Sequence, residues 1–324
     1  MKILVTGANG FIGRHLSSHL VSIGHTVGSA VRSPGSAPDG TAEVVVGNLA
    51  GATDWTGLLQ GFDVVVHLAA RVHVMNDTSV DPLSEFRQVN ALATAALARA
   101  AANQGVTRLV FLSSIKVNGE STAGTRFTAS DLPAPKDPYG VSKSEAEIEL
   151  RKIERDTDLD VVIVRTPLVY GPGVKGNFAK TLSLVHAGLP LPLAELRNRR
   201  TMVSVWNLVD LLEKCAADPS ATGALILAGD AFSPSTPQLF TEISSAMGKK
   251  ARMFRVPVSW MRLGGRLTGK TSIVGRLTES LEVESGSSST DWVWKPPHVF
   301  ADSILRTVTW YLENRKSQVI GGKN

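Results

Sequence analysis

A doubly wound parallel α/β sheet with a smaller C-terminal lobe is the fold this 324-residue chain predicts, on three observations. Short β-branched runs alternate with longer helical stretches through the first half, and a glycine-rich turn joins the first run to the first helix. Past residue 167 that rhythm gives way to segments rich in Pro, Gly and Arg. The length suits two domains, or one large domain with an appended lobe. With 43% hydrophobic and 19% charged residues the chain can bury a sizeable core, which excludes wholesale disorder.

Residues 3–5, 26–31, 44–46, 64–68, 109–112 and 161–164 are apolar almost without interruption, as strands buried on both faces are. Between them, 11–23, 53–59, 83–104 and 138–154 read as helices, which makes the sheet parallel with helices on both sides. A helix at 206–217 and a strand at 224–228 return the chain to the sheet. The remainder from Phe232 reads as loop-rich and ends in a helix over 301–314, and the serine-rich stretch 285–289 reads as a flexible loop. The expected division is 1–167 with 203–230 for the sheet domain, and 168–202 with 231–324 for a substrate lobe.

Gly7-Ala8-Asn9-Gly10-Phe11-Ile12-Gly13 follows the first strand directly and opens the first helix. Glycines there allow a tight turn and close approach of the backbone to a pyrophosphate, which the helix N-terminus attracts. In this strand–helix–strand setting the segment predicts a Rossmann dinucleotide site. An acidic residue after the second strand would bind an adenosine ribose 2′-hydroxyl, whereas an arginine would accommodate a 2′-phosphate. The chain has Val31 in the acid's place and Arg32 next, with no carboxylate until Asp39, so NADP(H) is expected ahead of NAD(H). Asn48 and Leu49 after the third strand are placed to meet the adenine. Leu68, Ala69 and Ala70 close the fourth strand, the two alanines small enough for the backbone to pass near the cofactor.

The fifth strand ends in Ser113-Ser114, and Asp137-Pro138-Tyr139-Gly140-Val141-Ser142-Lys143 follows. Asp137 is a natural N-cap and Pro138 suits the first helical position. Tyr139 and Lys143 then lie one turn apart on one helix face. An ammonium beside a phenol favours the phenolate, so the pair predicts a general acid–base tuned toward working pH, with Ser114 bonding the same oxygen.

On these motifs, together with 165–173 (Arg-Thr-Pro-Leu-Val-Tyr-Gly-Pro-Gly), the chain resembles the extended short-chain dehydrogenase/reductases, specifically the NAD-dependent epimerase/dehydratase family acting on nucleotide sugars. The resemblance covers nearly the whole chain. It implies that Ser114, Tyr139 and Lys143 are the catalytic trio, that Asn90 supports the cofactor site and that Pro167 lines the nicotinamide. It further implies that Arg200 grips the substrate diphosphate, with Arg276 as a second clamp and Asn177 near the same group; bidentate Arg–phosphate pairing is the chemistry behind such residues.

Departures from the family pattern narrow the expected reaction. Family 4,6-dehydratases carry an Asp-Glu pair after the strand-five serine or threonine, whereas here Ile115-Lys116 follows Ser114. Many epimerases of the family read Val-Tyr-Gly where this chain has Val117-Asn118-Gly119. The ribose-binding acid of epimerases, which hold NAD tightly, is missing. The run 113–120 resembles a UDP-glucose 4-epimerase-like subgroup, some members of which reduce a UDP-4-keto-6-deoxy-N-acetylhexosamine for bacterial surface polysaccharide such as O-antigen. Reduction of that C4 ketone by NAD(P)H, with Tyr139 donating the proton, is therefore expected. Lys116 would contact the sugar or pair with Glu120. A UDP-hexose 4-epimerase is the alternative, and a non-catalytic NADP-binding sensor the next.

Composition and decoys exclude other classes. A net charge of +5 with 6% aromatic residues shows no basic stripe interleaved with rings, so no nucleic-acid partner is expected. No apolar run approaches the roughly 20 residues of a membrane span, so no membrane partner is expected, and the start of the chain does not read as a signal peptide. A single cysteine, Cys215, and histidines without ligand spacing predict no disulfide and no metal, and point to a cytoplasmic protein. Residues 264–271 fit G-x-x-x-x-G-K-[ST] but follow a helix-like segment rather than a buried strand, which argues against a phosphate loop. His67 reads as a satisfied core residue; Arg71 and His73 read as surface loop near the cofactor. The alanine-rich run 91–98 offers either a homodimer face or a helix packed on the sheet.

Overall fold

The computed structural model describes residues 1–50, 52–72, 81–288 and 292–321. His73 and Ser289 lie outside the described residues. Eight strands form the main sheet: β1 (Lys2–Thr6), β2 (Thr26–Val31), β3 (Ala42–Val45), β4 (Val64–His67), β5 (Arg108–Ser114), β6 (Asp160–Thr166), β9 (Leu225–Leu227) and β10 (Gly286–Ser287). Their spatial order is β10-β9-β6-β5-β4-β1-β2-β3. All neighbours are parallel except β10, which runs antiparallel to β9. The expected parallel sheet is therefore present, and its β3-to-β6 portion has the order of a doubly wound dinucleotide fold. β7 (Leu168–Tyr170) and β8 (Met202–Ser204) form a separate parallel pair.

Burial follows from strand periodicity. Ile3 and Val5 point into one apolar layer with Leu16 and Leu20 of α1 (Phe11–Ser22) and Leu208, Leu211 and Leu212 of α6 (Val205–Ala217). Leu4 points to the other face, where Ala95, Leu97 and Ala98 of α3 (Ala93–Asn103) meet Ala146 and Leu150 of α4 (Pro138–Asp156). The alanines of 91–98 are thus largely spent on the sheet. A third core joins Tyr170 to Phe178 and Leu182 of α5 (Gly176–Ala187), Phe240 of α7 (Thr236–Ala246) and Ile304 of α10 (Phe300–Gly321). Tyr170 donates to Asp230 Oδ2 at 2.7 Å, and Asp230 Oδ1 accepts from Ser204 N and Asn207 Nδ2, which ties β7, β8 and α6 together.

Several expectations are corrected. Residues 53–59 are turns, not a helix: Thr53 Oγ1 and Asp54 Oδ1 accept from Ala50 N and Thr56 N, and Gly57 has φ +70°. Such local side-chain bonds compete with the helical ladder. The stretch 83–104 is not one regular helix either. It comprises α2 (Pro82–Arg87), a π-turn (Gln88–Leu92) and α3. The serine-rich stretch contributes β10, whose Gly286 and Ser287 pair with Leu227 and Ile226. The region past Phe232 is mainly helical, with α7, α8 (Val258–Leu267), α9 (Thr271–Thr278) and α10. Gly264 and Gly265 lie inside α8, so no strand leads into the G-x-x-x-x-G-K-T stretch and the phosphate-loop reading is excluded.

Candidate active site

β1 lies between β2 and β4, and the helices that follow β1 and β4 pack on opposite faces of the sheet. In sheets of this order ligands bind where the order reverses, beyond the C-terminal strand ends. Gly7 lies at that point, directly after β1, with φ +67°, and a Cβ there would stand 2.9 Å from the Ala69 nitrogen and 3.1 Å from the Leu68 carbonyl carbon. A Cβ on Gly13 would meet the Gly7 carbonyl oxygen at 2.1 Å. Gly10 caps α1 without a side-chain bond, and no acidic residue sits in the first turn. The helix end therefore keeps the positive potential that a pyrophosphate requires. Asn9 accepts from Arg14 Nε through its carbonyl at 3.0 Å, while Phe11 and Ile12 pack against the core.

The glycine cradle and uncapped helix end fit a dinucleotide. Gly13→Ala is expected to cost about 1–3 kcal/mol of stability, because the methyl meets backbone that cannot yield cheaply. The same variant should lose cofactor affinity; urea denaturation and a cofactor titration check the two effects.

Around this cradle, Ala69 N donates to Thr6 Oγ1 at 3.2 Å, which fixes the end of β4 beside Leu68 and Ala70. Val31 is buried, and Arg32 beyond it is exposed. Glu43, beside Ser29 in register, has its carboxylate engaged by the backbone N–H groups of Gly35, Ser36 and Ala37. Asn48 is exposed, and Leu49 packs against the core. His67 bonds Thr6 and Thr94 through its two ring nitrogens at 2.6 and 2.9 Å, and burial pulls its pKa down to about 3. It is the satisfied core histidine expected.

Asn90 sits in the π-turn and is fully buried. Its side chain accepts from Arg71 N at 2.8 Å and donates to Arg71 O and to Ser142 Oγ, both at 3.0 Å. It thereby clamps the segment after β4 onto α4; π-bulges commonly mark such functional positions. Pro167 is buried directly after β6.

Ser114 ends β5 and Asp137 caps α4, with Gly140 N donating to Asp137 Oδ1 at 2.7 Å and Pro138 in the first turn, as expected. Ser114 lies beside Tyr139, where its hydroxyl favours the ionised phenol. The Tyr139 ring meets Phe86 edge-on at 6.0 Å. Lys143 Nζ donates to the Leu112 carbonyl at 2.9 Å and lies 4.4 Å from the centre of the Phe111 ring.

This geometry corrects the expected phenol tuning. Burial pushes Tyr139 up to about 12, opposed by the neighbouring Ser114 hydroxyl. Burial pulls Lys143 down to about 7, opposed by Glu147. Lys143 is aimed at a carbonyl rather than at the phenol, so it does not depress Tyr139 here. Between pH 7 and 10.5 the unfolded chain binds this proton and the folded one releases it, so stability from Lys143 rises with pH across that window. Lys143→Met should flatten that slope in urea denaturation series.

Lys116 pairs with Glu120 at 3.0 Å and also with Asp137, in accord with the ion-pair alternative. Arg200 Nη1 donates to the carbonyls of Arg276 and Glu279, both at 3.2 Å. Burial lowers the Arg200 pKa, opposed by the charges of Glu120 and Glu279, and the like charge of Arg276 adds to the lowering. The two expected clamps are therefore neighbours. Asn177 is exposed on α5, and no described contact joins it to them. A separate cavity of about 560 Å³, lined by residues such as Phe232, Pro237, His298 and Phe300, includes none of these positions.

Sequence reasoning missed a buried group beneath the trio. Arg165 Nε and Nη2 bond both oxygens of Glu147 at 2.6–3.2 Å, Ser113 Oγ donates to the same carboxylate, and Arg165 Nη1 donates to Asn118 Oδ1 at 2.9 Å. Asn118, a departure from the family pattern, thus completes a structural network. The signals were there: an arginine ends an apolar strand, and Glu147 follows Lys143 by one helical turn.

A model of the NAD dependent epimerase/dehydratase family matches residues 3–226. A UDP-glucose 4-epimerase of Vibrio cholerae is 41% identical over 315 residues, covering 96% of each chain. One of Mycolicibacterium smegmatis is 32% identical over 339 residues, covering 98% of this chain and 100% of its own. Among solved structures, MoeE5 in complex with UDP-glucose and NAD superposes with TM-score 0.76 at 25% identity, covering 97% of this chain and all of its own.

Proposed function

The chain belongs to the NAD-dependent epimerase/dehydratase family, and from that premise we propose that it reduces the C4 ketone of a UDP-4-keto-6-deoxy-N-acetylhexosamine, with NADP(H) preferred over NAD(H). Gly7, Gly10 and Gly13 with the open end of α1 would hold the dinucleotide pyrophosphate, and Asn90 and Pro167 would shape its nicotinamide end. That cofactor supplies the hydride.

The observation that carries the reading is the placement of Ser114, which ends β5, beside Tyr139 in the first turn of α4. A phenol held up to about 12 stays protonated at neutral pH, which suits a proton donor to a developing alkoxide. Ser114 beside it would offer a second contact to the same oxygen. Lys143 would support the cofactor ribose, Arg200 and Arg276 the diphosphate, and Asn177 the same end of the substrate. Elimination lacks an acid–base pair, since Ile115 is buried and Lys116 is committed to Glu120 and Asp137. The missing carboxylate after β2, with Arg32 exposed and Glu43 engaged elsewhere, favours a cofactor that exchanges at each turnover. In this reading 1–167 and 203–230 carry the cofactor, and 168–202 and 231–324 carry the sugar nucleotide.

The second reading is a UDP-hexose 4-epimerase, favoured by the Vibrio cholerae relative. The test is to incubate the protein with the UDP-4-keto-6-deoxysugar and reduced cofactor. Loss of one equivalent of nicotinamide absorbance per ketone consumed supports reduction. Protein purified with bound NAD that interconverts UDP-glucose and UDP-galactose, with no net cofactor change, overturns it.

A further inference from the structure

No described helix is long and apolar enough to cross a membrane, but α8 has an apolar stripe on each of two opposite faces. Val258, Met261 and Gly265 form the inner stripe: Val258 and Met261 pack on the third core, and Gly265 is buried against Val274 of α9. At 100° per residue, Trp260, Leu263 and Leu267 fall on the far side of the helix. They are 74%, 58% and 79% exposed, and Ile273 of α9 is 50% exposed. Scattered exposed apolar residues are ordinary, whereas a helical stripe of Trp and Leu directed away from the core is not.

Charge indicates what covers it. From residue 249 to residue 276 the chain carries eight Lys and Arg and no Asp or Glu. Among the described residues, none of Arg252, Arg255, Arg262, Arg266 and Lys270 forms an ion pair, and all are exposed. Arg262 and Arg266 lie together along one edge of the outer stripe, on the Leu263 side of the α8 wheel. A second copy of the chain would bring the same uncompensated positive charge to this face, which disfavours self-pairing. An anionic lipid surface satisfies both features at once: headgroups take the cations, and the acyl boundary takes the Trp and Leu.

We propose that the α8–α9 hairpin docks the protein on anionic membranes, with α8 lying in the plane of the interface. Arg276, whose carbonyl accepts from Arg200, lies on α9, so docking brings the candidate diphosphate clamp toward the headgroups. This inference stands independently of the sugar reading, since its test requires no turnover.

The test is flotation of the full chain with vesicles of phosphatidylglycerol and phosphatidylcholine, against phosphatidylcholine alone. The wild type should float with the anionic vesicles at low salt and be released by high salt. Leu263→Ser with Leu267→Ser should lower the bound fraction about tenfold, through loss of inserted apolar area. Tryptophan emission should shift to the blue on binding, and Trp260→Phe should lose that shift. If the leucine variant does not fold, Arg262→Glu with Arg266→Glu is the substitute, with the same loss expected. Absence of flotation, or equal binding by folded variants, overturns the proposal and points to a protein or nucleic-acid partner for this face.

Discussion

Tyr139→Phe should lower kcat about 10²- to 10⁴-fold, the range over which a positioned proton donor acts. The substitution removes one oxygen and leaves the ring, so its edge contact with Phe86 survives. Stability should stay close to wild type, because what is lost is one polar contact of the hydroxyl, worth about 1 kcal/mol at most. KM should change little, since the diphosphate contacts assigned to Arg200 and Arg276 are untouched. Arg200→Ala should show the opposite split, with KM raised more than kcat is lowered. Steady-state kinetics on the two variants separate proton transfer from binding. A Tyr139→Phe protein with undiminished turnover would remove the phenol from the chemistry and leave the sugar reading without its proton donor.

What was legible in the sequence was local. Continuous apolar runs marked β1, β2, β4, β5 and β6, because strands buried on both faces carry no polar alternation. The glycine loop and the Asp137-Pro138 cap were legible because their backbone geometry restricts residue type within a few positions. The misses came from tertiary context. Residues 53–59 have helix-like apolar spacing, and Trp55 and Leu59 are indeed buried, but Asp54 and Gly57 turn the chain first. The π-turn at Asn90 depends on partners at Arg71 and Ser142, which lie 19 and 52 positions away. α8 contains two glycines that propensity disfavours, yet Gly265 lets α9 approach closely through Val274. The Tyr139 error has the same origin: spacing put an amine one turn from the phenol, but burial and the Leu112 carbonyl decided both groups' protonation.

The buried Glu147–Arg165 pair should be the costliest single-residue disruption near the site. Both side chains are almost inaccessible, at 7% and 3% exposure. Glu147→Gln leaves the guanidinium of Arg165 desolvated with only neutral partners, an expected loss of about 3–5 kcal/mol. Ser113 loses its charged acceptor in the same step. Replacing both partners with apolar groups, Glu147→Leu with Arg165→Met, should recover much of that loss, because no charge is then stranded. Urea denaturation of the single and double variants measures this coupling. A second readout distinguishes positioning from bulk stability. The Glu147 carboxylate opposes the downward pull of burial on Lys143, so Glu147→Gln should move the Lys143 titration below its value of about 7. In the sign convention of linkage, the window over which stability climbs with pH then opens at lower pH. A folded Glu147→Gln protein with an unshifted Lys143 titration would confine the pair to packing, whereas a shift shows that it sets the charge of the amine beneath the candidate proton donor.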